Sequence, residues 1–231
     1  MSTAYQEAQR VGQSAVRTTI LDHAIELLVT EGPAALTMRR IATGIGASTK
    51  VLYTMFGGKE GLADALYREG FARLRRAQQR VPGRADDPLA HLNDLGDAYR
   101  AHALAEPAYY RVMFEQAVPG YRPGSEALNE AETAFDTSVA AVQACIDAGV
   151  FRPGEAYEIS KLLWAAAHGA VSLEIAGHFP PDAAARRYAA LLAAVGRTFL
   201  AAEQGQRQGQ GRRKAQGQAQ GQAQGQGQGL A

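Results

Sequence analysis

Residues 37–56, TMRRIATGIGASTKVLYTMF, hold the arrangement in this sequence with the clearest chemistry to offer. Two short helical stretches meet at a turn marked by Gly44 and Gly46, the pattern of a helix-turn-helix. Ala42 is small enough for two helices to cross steeply, and Gly46 tolerates the positive φ of a tight turn. Ile41, Ile45, Ala47, Leu52 and Met55 fall where the unit must bury itself. What remains on the second stretch, Thr49, Lys50, Tyr53 and Thr54, is polar or amphipathic and faces outward. Such a helix fits the ~12 Å major groove of DNA with its first turn nearest the bases. Its chemistry is hydrogen bonding and phosphate neutralisation, not bond-making.

Other chemistries lack their residues. Five histidines (His23, His91, His102, His168, His178) form no H-x-x-x-H pair and no H-E-x-x-H, so no metal is expected. GIGASTK (44–50) lacks the G-x-x-x-x-G-K-[ST] spacing and follows a helix rather than a strand. Gly44-x-Gly46 has no third glycine for a dinucleotide, and no G-x-S-x-G elbow exists, so no cofactor and no enzyme activity are expected. The single cysteine, Cys145, excludes an intrachain disulfide and reads as an inert buried thiol. A helical enzyme or small-molecule-binding protein using a pocket in the second half is the alternative class, and turnover would reveal it. An adaptor that binds only protein would show no salt-sensitive DNA binding.

The elements that must position these residues are all helical. Leu21, Ala24, Ile25 and Leu28 follow the spacing of one buried face, and Gly32-Pro33 stops that helix. Thr37 is a good N-cap, with Leu36 able to staple onto Ile41. Ser48 caps a helix over Thr49–Phe56 that Gly57-Gly58 ends, and a fourth starts near Lys59, packing through Leu62, Leu66, Phe71 and Leu74. Further helices are predicted over about 88–105, 107–117, 125–149, 155–178 and 182–203, with Pro and Gly at each junction. Alternating runs of strand type are absent, so the fold class is all-α.

Of 231 residues, 46% are apolar and 20% charged, which excludes a wholly disordered chain or a disulfide scaffold. No apolar run is long enough for a membrane span and no signal-peptide core opens the chain, so a cytoplasmic protein is expected. The net charge of +1 conceals an uneven distribution. Residues 1–66 balance six basic groups against six acidic ones, whereas 67–85 set six arginines against Glu69 alone. Residues 86–203 are acidic, with eight basic and sixteen acidic groups. The Arg68–Arg84 run is either a polyanion-attracting segment or a solvated helix face. From Gln204 the sequence is Gly, Gln and Ala with Arg207, Arg212, Arg213 and Lys214, which predicts a disordered, solubilising tail.

The stretches TTILDHAIELLVTEG, LTMRRIATGIGASTKVLY and MFGGKEGLADAL resemble the N-terminal DNA-binding domain of the tetracycline-repressor (TetR) family of bacterial transcription regulators. The aromatic-glycine-glycine-Lys-Glu-x-Leu run after the second short helix is the most specific part. The resemblance implies nine or more helices, an N-terminal three-helix helix-turn-helix domain, and a C-terminal helical domain that dimerises and binds an effector. It implies that Thr37 and Arg39 contact phosphates, and that Ser48, Thr49 and Lys50 face bases or phosphates. Tyr53 would pack on the DNA backbone and Lys59 would reach a phosphate. Arg40 would serve either a phosphate or an ion pair within the domain. Arg10 and Arg17 belong either to an arm over the DNA or to a solvated surface. The resulting map is a flexible arm over 1–12, the DNA-binding domain over 13–67, the effector-binding and dimerisation domain over 68–203, and the tail over 204–231.

In the second half, Trp164, His168 and Gly169 resemble the Trp-His-Gly signature of one class of TetR-family C-terminal domains. The resemblance implies a homodimer through the last two long helices, where Leu162, Leu173, Tyr188, Leu191, Leu192, Val195 and Phe199 would supply the interface. A twofold dimer implies a near-palindromic double-stranded operator. A small-molecule effector of unknown identity would sit among the central helices, with candidates Tyr99, His102, Tyr109, Met113, Phe114, Phe135, Trp164 and His168. The competing assignment for Trp164 and His168 is core packing.

Overall fold

The computed structural model describes residues 3–201, and the expected tail from residue 204 lies outside them. Among the described residues nine α-helices follow one another: α1 (Ala4–Thr30), α2 (Met38–Gly44), α3 (Thr49–Phe56), α4 (Lys59–Gln79), α5 (Pro88–Ala105), α6 (Pro107–Phe114), α7 (Ser125–Asp147), α8 (Ala156–Ile175) and α9 (Pro181–Arg197). Pro88, Pro107 and Pro181 each stand first in their helix, where proline's missing N–H costs nothing. None of these helices is long and apolar enough to cross a membrane.

The beginning differs from the sequence expectation. Over 1–12, where a flexible arm was expected, α1 is already under way at Ala4. Thr3 starts it with a reciprocal cap: its hydroxyl accepts from the Gln6 N–H (3.3 Å), and its own N–H donates to Gln6 Oε1 (2.9 Å). The buried face of α1 is Ile20, Leu21, Ala24 and Leu27, while Ile25 and Leu28 are half-buried at its edges. The end of α9 also differs. The helix stops at Arg197 because the chain turns to pair Leu200 with Phe151 in an isolated antiparallel bridge, with the Arg152 N–H donating to the Phe199 carbonyl at 2.8 Å.

The chain divides into two compact units, residues 3–82 with 95–137, and residues 83–94 with 138–201. This division does not follow the expected boundary at 67/68, because α4 runs through that point without a break. In the first unit, Ile20, Leu21 and Leu27 of α1 join Ile41, Leu52, Leu62 and Leu66 in a core under the helix-turn-helix. Farther along α4, Phe71 and Leu74 are buried, as are Tyr109, Tyr110, Val112 and Met113 of α6.

In the second unit α8 packs along α9, and Val142, Cys145, Phe151, Ala156, Ile159 and Phe199 form a buried cluster. Burial, with the Asp87 carboxylate adding to it, pushes the Cys145 thiol up to about 11. Thiolate is therefore scarce at neutral pH, which agrees with an inert buried side chain. Tyr188 and Phe199 are buried within the chain, which corrects their expected place on a dimer surface. Leu162, Leu173 and Leu191 are exposed.

Candidate nucleic-acid interface

The two short helices are held by local chemistry. Thr37 is extended at the N-cap of α2, and its hydroxyl accepts from the Arg40 N–H at 3.2 Å. Ile41 and Ala42 are buried on the inner side of α2. The turn follows with Gly46 at φ +66 and the Ala47 N–H donating to the Ala42 carbonyl at 2.9 Å. Ser48 occupies the N-cap of α3 in extended conformation, but its hydroxyl makes no capping bond. Leu52 and Phe56 anchor α3 to the core.

Thr37, Arg39, Ser48, Thr49, Lys50, Tyr53 and Lys59 are all exposed. They sit at the N-cap and first turn of α2, along α3, and at the first residue of α4. At 3.6 residues per turn, Lys50 and Thr54 share one side of α3, and Thr49 and Tyr53 another. The outward set also contains Val51, an apolar residue that polarity alone does not mark as surface.

Two alternatives left open by the sequence find partners. Arg40 pairs with Glu31 at 2.6 Å, and their hydrogen bond lowers the Glu31 pKa and raises that of Arg40. It ties the end of α1 to α2. Arg10 pairs with Glu7 on its own helix, whereas the Arg17 guanidinium lies 5.0 Å from the centroid of the Phe56 ring. Beside them, the His23 ring packs against Gly44 so closely that a Cβ there would overlap it.

The glycines after α3 make a tight corner. Gly57 takes the left-handed conformation at φ +73 and its N–H returns to the Tyr53 carbonyl at 2.8 Å. Gly61, one turn later, lies so near α3 that a Cβ would run into the Phe56 carbonyl oxygen. Gly61→Ala should therefore cost about 1–2 kcal/mol, overpacking outweighing alanine's better helix propensity. Urea denaturation measures it, and an unchanged midpoint would mean that the corner yields freely.

The Arg68–Arg84 run is largely consumed inside the chain. Arg68 pairs with Glu126 (3.1 Å), Arg75 with Glu130 (3.0 Å), Arg76 with Glu69 (2.7 Å) and Arg84 with Asp94. Arg73 is the hub. It meets Asp22 of α1, Glu69 (2.9 Å) and Glu106 (3.1 Å), and lies 4.4 Å from the centroid of the Tyr109 ring. Burial alone would lower the Arg73 pKa, but Tyr109, Glu69, Asp22 and Glu106 together hold it above its ordinary value. This corrects the reading of the run as a polyanion-attracting segment: its charge is mostly neutralised by acids of α1, α4, α5 and α7 and by Glu106.

Of the effector candidates, Tyr99, His102, Tyr109, Met113, Phe114 and Phe135 belong to the first unit and Trp164 and His168 to the second. Tyr109 is buried, its hydroxyl 3.4 Å from Asp22, and burial pushes its pKa up. Met113 packs on Gly70 of α4, where a Cβ would crowd its thioether. Burial lowers the His102 pKa, which favours its neutral imidazole. The Trp164 and His168 rings lie 5.3 Å apart, as their i, i+4 spacing implies.

An aromatic group that the sequence did not single out surrounds Phe114. Phe71 meets it edge-on at 5.5 Å, Tyr110 at 5.0 Å, and Tyr67 links Phe71 (4.9 Å) to Tyr121 (6.0 Å). The Tyr121 hydroxyl donates to Asp64 at 3.0 Å. Only the two i, i+4 pairs, Tyr67 with Phe71 and Tyr110 with Phe114, could have signalled it in the sequence.

Known proteins are similar to this chain in sequence and fold. The family model for bacterial regulatory proteins of the tetR family matches residues 20–66, and that for the tetracyclin repressor-like C-terminal domain matches residues 92–199. The HTH-type transcriptional regulator Rv1816 of Mycobacterium tuberculosis is 23% identical over 206 residues, covering 75% of this chain and 86% of its own length. A TetR transcription regulator from Haloarcula marismortui is similar in structure, with TM-score 0.65 at 22% identity, over 81% of this chain and 99% of that one. The TetR family regulator PfmR from Thermus thermophilus gives 0.60 at 18% identity, over 77% and 97%. Both structures have the same fold as this chain.

Proposed function

The chain belongs to the tetR family of bacterial regulatory proteins, and from that premise we propose that it represses transcription by holding an operator as a dimer until a small molecule releases it. That it is a DNA-binding transcriptional regulator follows from the family. The observation that supports the rest is the division of α3 into an anchored side, Leu52 and Phe56, and an exposed side built of Thr49, Lys50, Tyr53 and Thr54. Ser48, Thr49 and Lys50 meet bases or phosphates in the major groove, and Tyr53 packs on the backbone. Thr37, Arg39 and Lys59 take phosphates on either side. Arg40 is left out of this set because Glu31 holds it.

Exposed Leu162 (55%), Leu173 (43%) and Leu191 (40%) of α8 and α9 form the dimer face. Leu162→Glu with Leu191→Glu should convert the dimer to monomer in sedimentation velocity and weaken operator binding at least tenfold, since a monomer holds one half-site. A variant that stays dimeric would move the interface elsewhere. The effector enters the C-terminal helical domain and shifts the equilibrium between two subunit arrangements by no more than its differential affinity for them. The protein carries out no catalysis and acts in the cytoplasm, where its operator is.

Fluorescence anisotropy with the DNA flanking its own gene, against a scrambled duplex and across a salt series, tests this function. Preferential, salt-dependent binding to the flanking duplex is the expected result. No binding at low salt would overturn it.

A further inference from the structure

Val51 is the third residue of α3 and lies in its first turn, the part of a reading helix that reaches deepest toward base edges. It is 39% exposed and lies between exposed Thr54 and half-buried Met55 around the helix, at the flank of the outward side. Its side chain neither donates nor accepts a hydrogen bond, so it is silent toward phosphates and toward every polar base edge. A β-branched residue is also a poorer helix former than alanine, so helix stability does not explain valine at this exposed position. Tyr53, the other exposed apolar side chain on α3, carries a hydroxyl and stands on a different side of the helix. The thymine C5-methyl is the apolar group that the major groove presents.

We propose that Val51 packs against the C5-methyl of a thymine in each operator half-site and sets the base preference there. The inference rests on α3 being the reading helix. In contact with the methyl group, Val51 loses the water that covers it in the free protein. A cytosine at that position lacks the methyl and is disfavoured. Exposed Thr49 and Thr54 also carry a methyl that suits a thymine, and the response of Val51→Ala separates Val51 from them.

The full chain is first used to select its preferred sequence from random duplexes. Each thymine of the selected half-site is then replaced by deoxyuridine, which removes one methyl and leaves every hydrogen bond in place. The wild-type protein should lose about fourfold in affinity per half-site at one thymine, the effect of one methyl group no longer buried. Val51→Ala should bind the thymine duplex more weakly and show no further loss on deoxyuridine. An unaltered thymine-to-uracil penalty in Val51→Ala would overturn the proposal, as would a half-site in which no thymine methyl matters. If selection enriches no sequence, base reading by α3 fails first and the proposal falls with it. Because Val51 is exposed, an unchanged melting curve shows that the variant is folded.

Discussion

Replacing Lys50 and Tyr53 together by alanine is expected to lower operator affinity roughly a thousandfold, to the level of unrelated DNA, and to leave the melting temperature unchanged. Both side chains are exposed on α3, and Tyr53 is 54% exposed. Among the described residues neither side chain has an ion pair or ring contact with the rest of the chain, so their removal breaks none of these. A single lost contact to DNA is worth about 1–3 kcal/mol, and a twofold dimer loses each contact twice. Four lost contacts therefore match the roughly 4–10 kcal/mol that separates specific from non-specific binding.

The single variants should differ in kind. Lys50→Ala removes one cation per half-site and should flatten the salt dependence by about two counterions per dimer if it holds a phosphate. Tyr53→Ala should weaken binding without changing that slope. Operator affinity within about threefold of wild type in the double variant would show that another surface reads the DNA.

The second large effect concerns stability. Arg73→Ala should destabilise the protein by about 2–3 kcal/mol, because it leaves Asp22, Glu69 and Glu106 crowded without their cation and uncovers the Tyr109 ring. Full burial would make the loss larger, but Asp22 is half exposed and water screens part of it. For a chain of this size the melting temperature should fall by about 5–10 °C in calorimetry. Arg73→Lys should recover only part, since one ammonium cannot fork among three carboxylates and cover a ring. A melting point unchanged in Arg73→Ala would mean that the carboxylates simply turn to solvent.

What could be read from the sequence was whatever a few adjacent residues decide. Thr37 as a cap, Ala42 at the helix crossing, Gly46 in the turn and the outward face of α3 depend on neighbours within one or two turns. The positions of α5 to α9 followed from proline and glycine at their ends. The edge of a buried face was harder, because apolar Ile25 and Leu28 border the packed side of α1 and polarity does not show where its centre lies.

The arginines of α4 could not be resolved, since apart from Glu69 on the same helix their partners are remote in the chain. Arg68 finds Glu126 58 residues away and Arg73 finds Asp22 51 residues away. A run of like charge looks the same in sequence whether solvent or distant acids face it. The same holds for Tyr121, which meets Tyr67 only through the fold. Tyr188 and Phe199 look like surface leucines in pattern, yet the packing of α8 on α9 and the Phe151–Leu200 bridge take them inside.

The pairing of α4 means that ionic strength acts on this molecule in two places. Added salt releases the DNA, and over the same range it screens exposed pairs such as Arg76 with Glu69 and Arg68 with Glu126, where charges lie well inside a Debye length of ~10 Å but are open to water. Arg73, 19% exposed and shared among three acids, is screened far less. In concentrated salt the ionic bracing of α4 thus falls chiefly to Arg73 and to the part-buried Arg75–Glu130 pair, and the grip on DNA and the stiffness of the frame behind it slacken together.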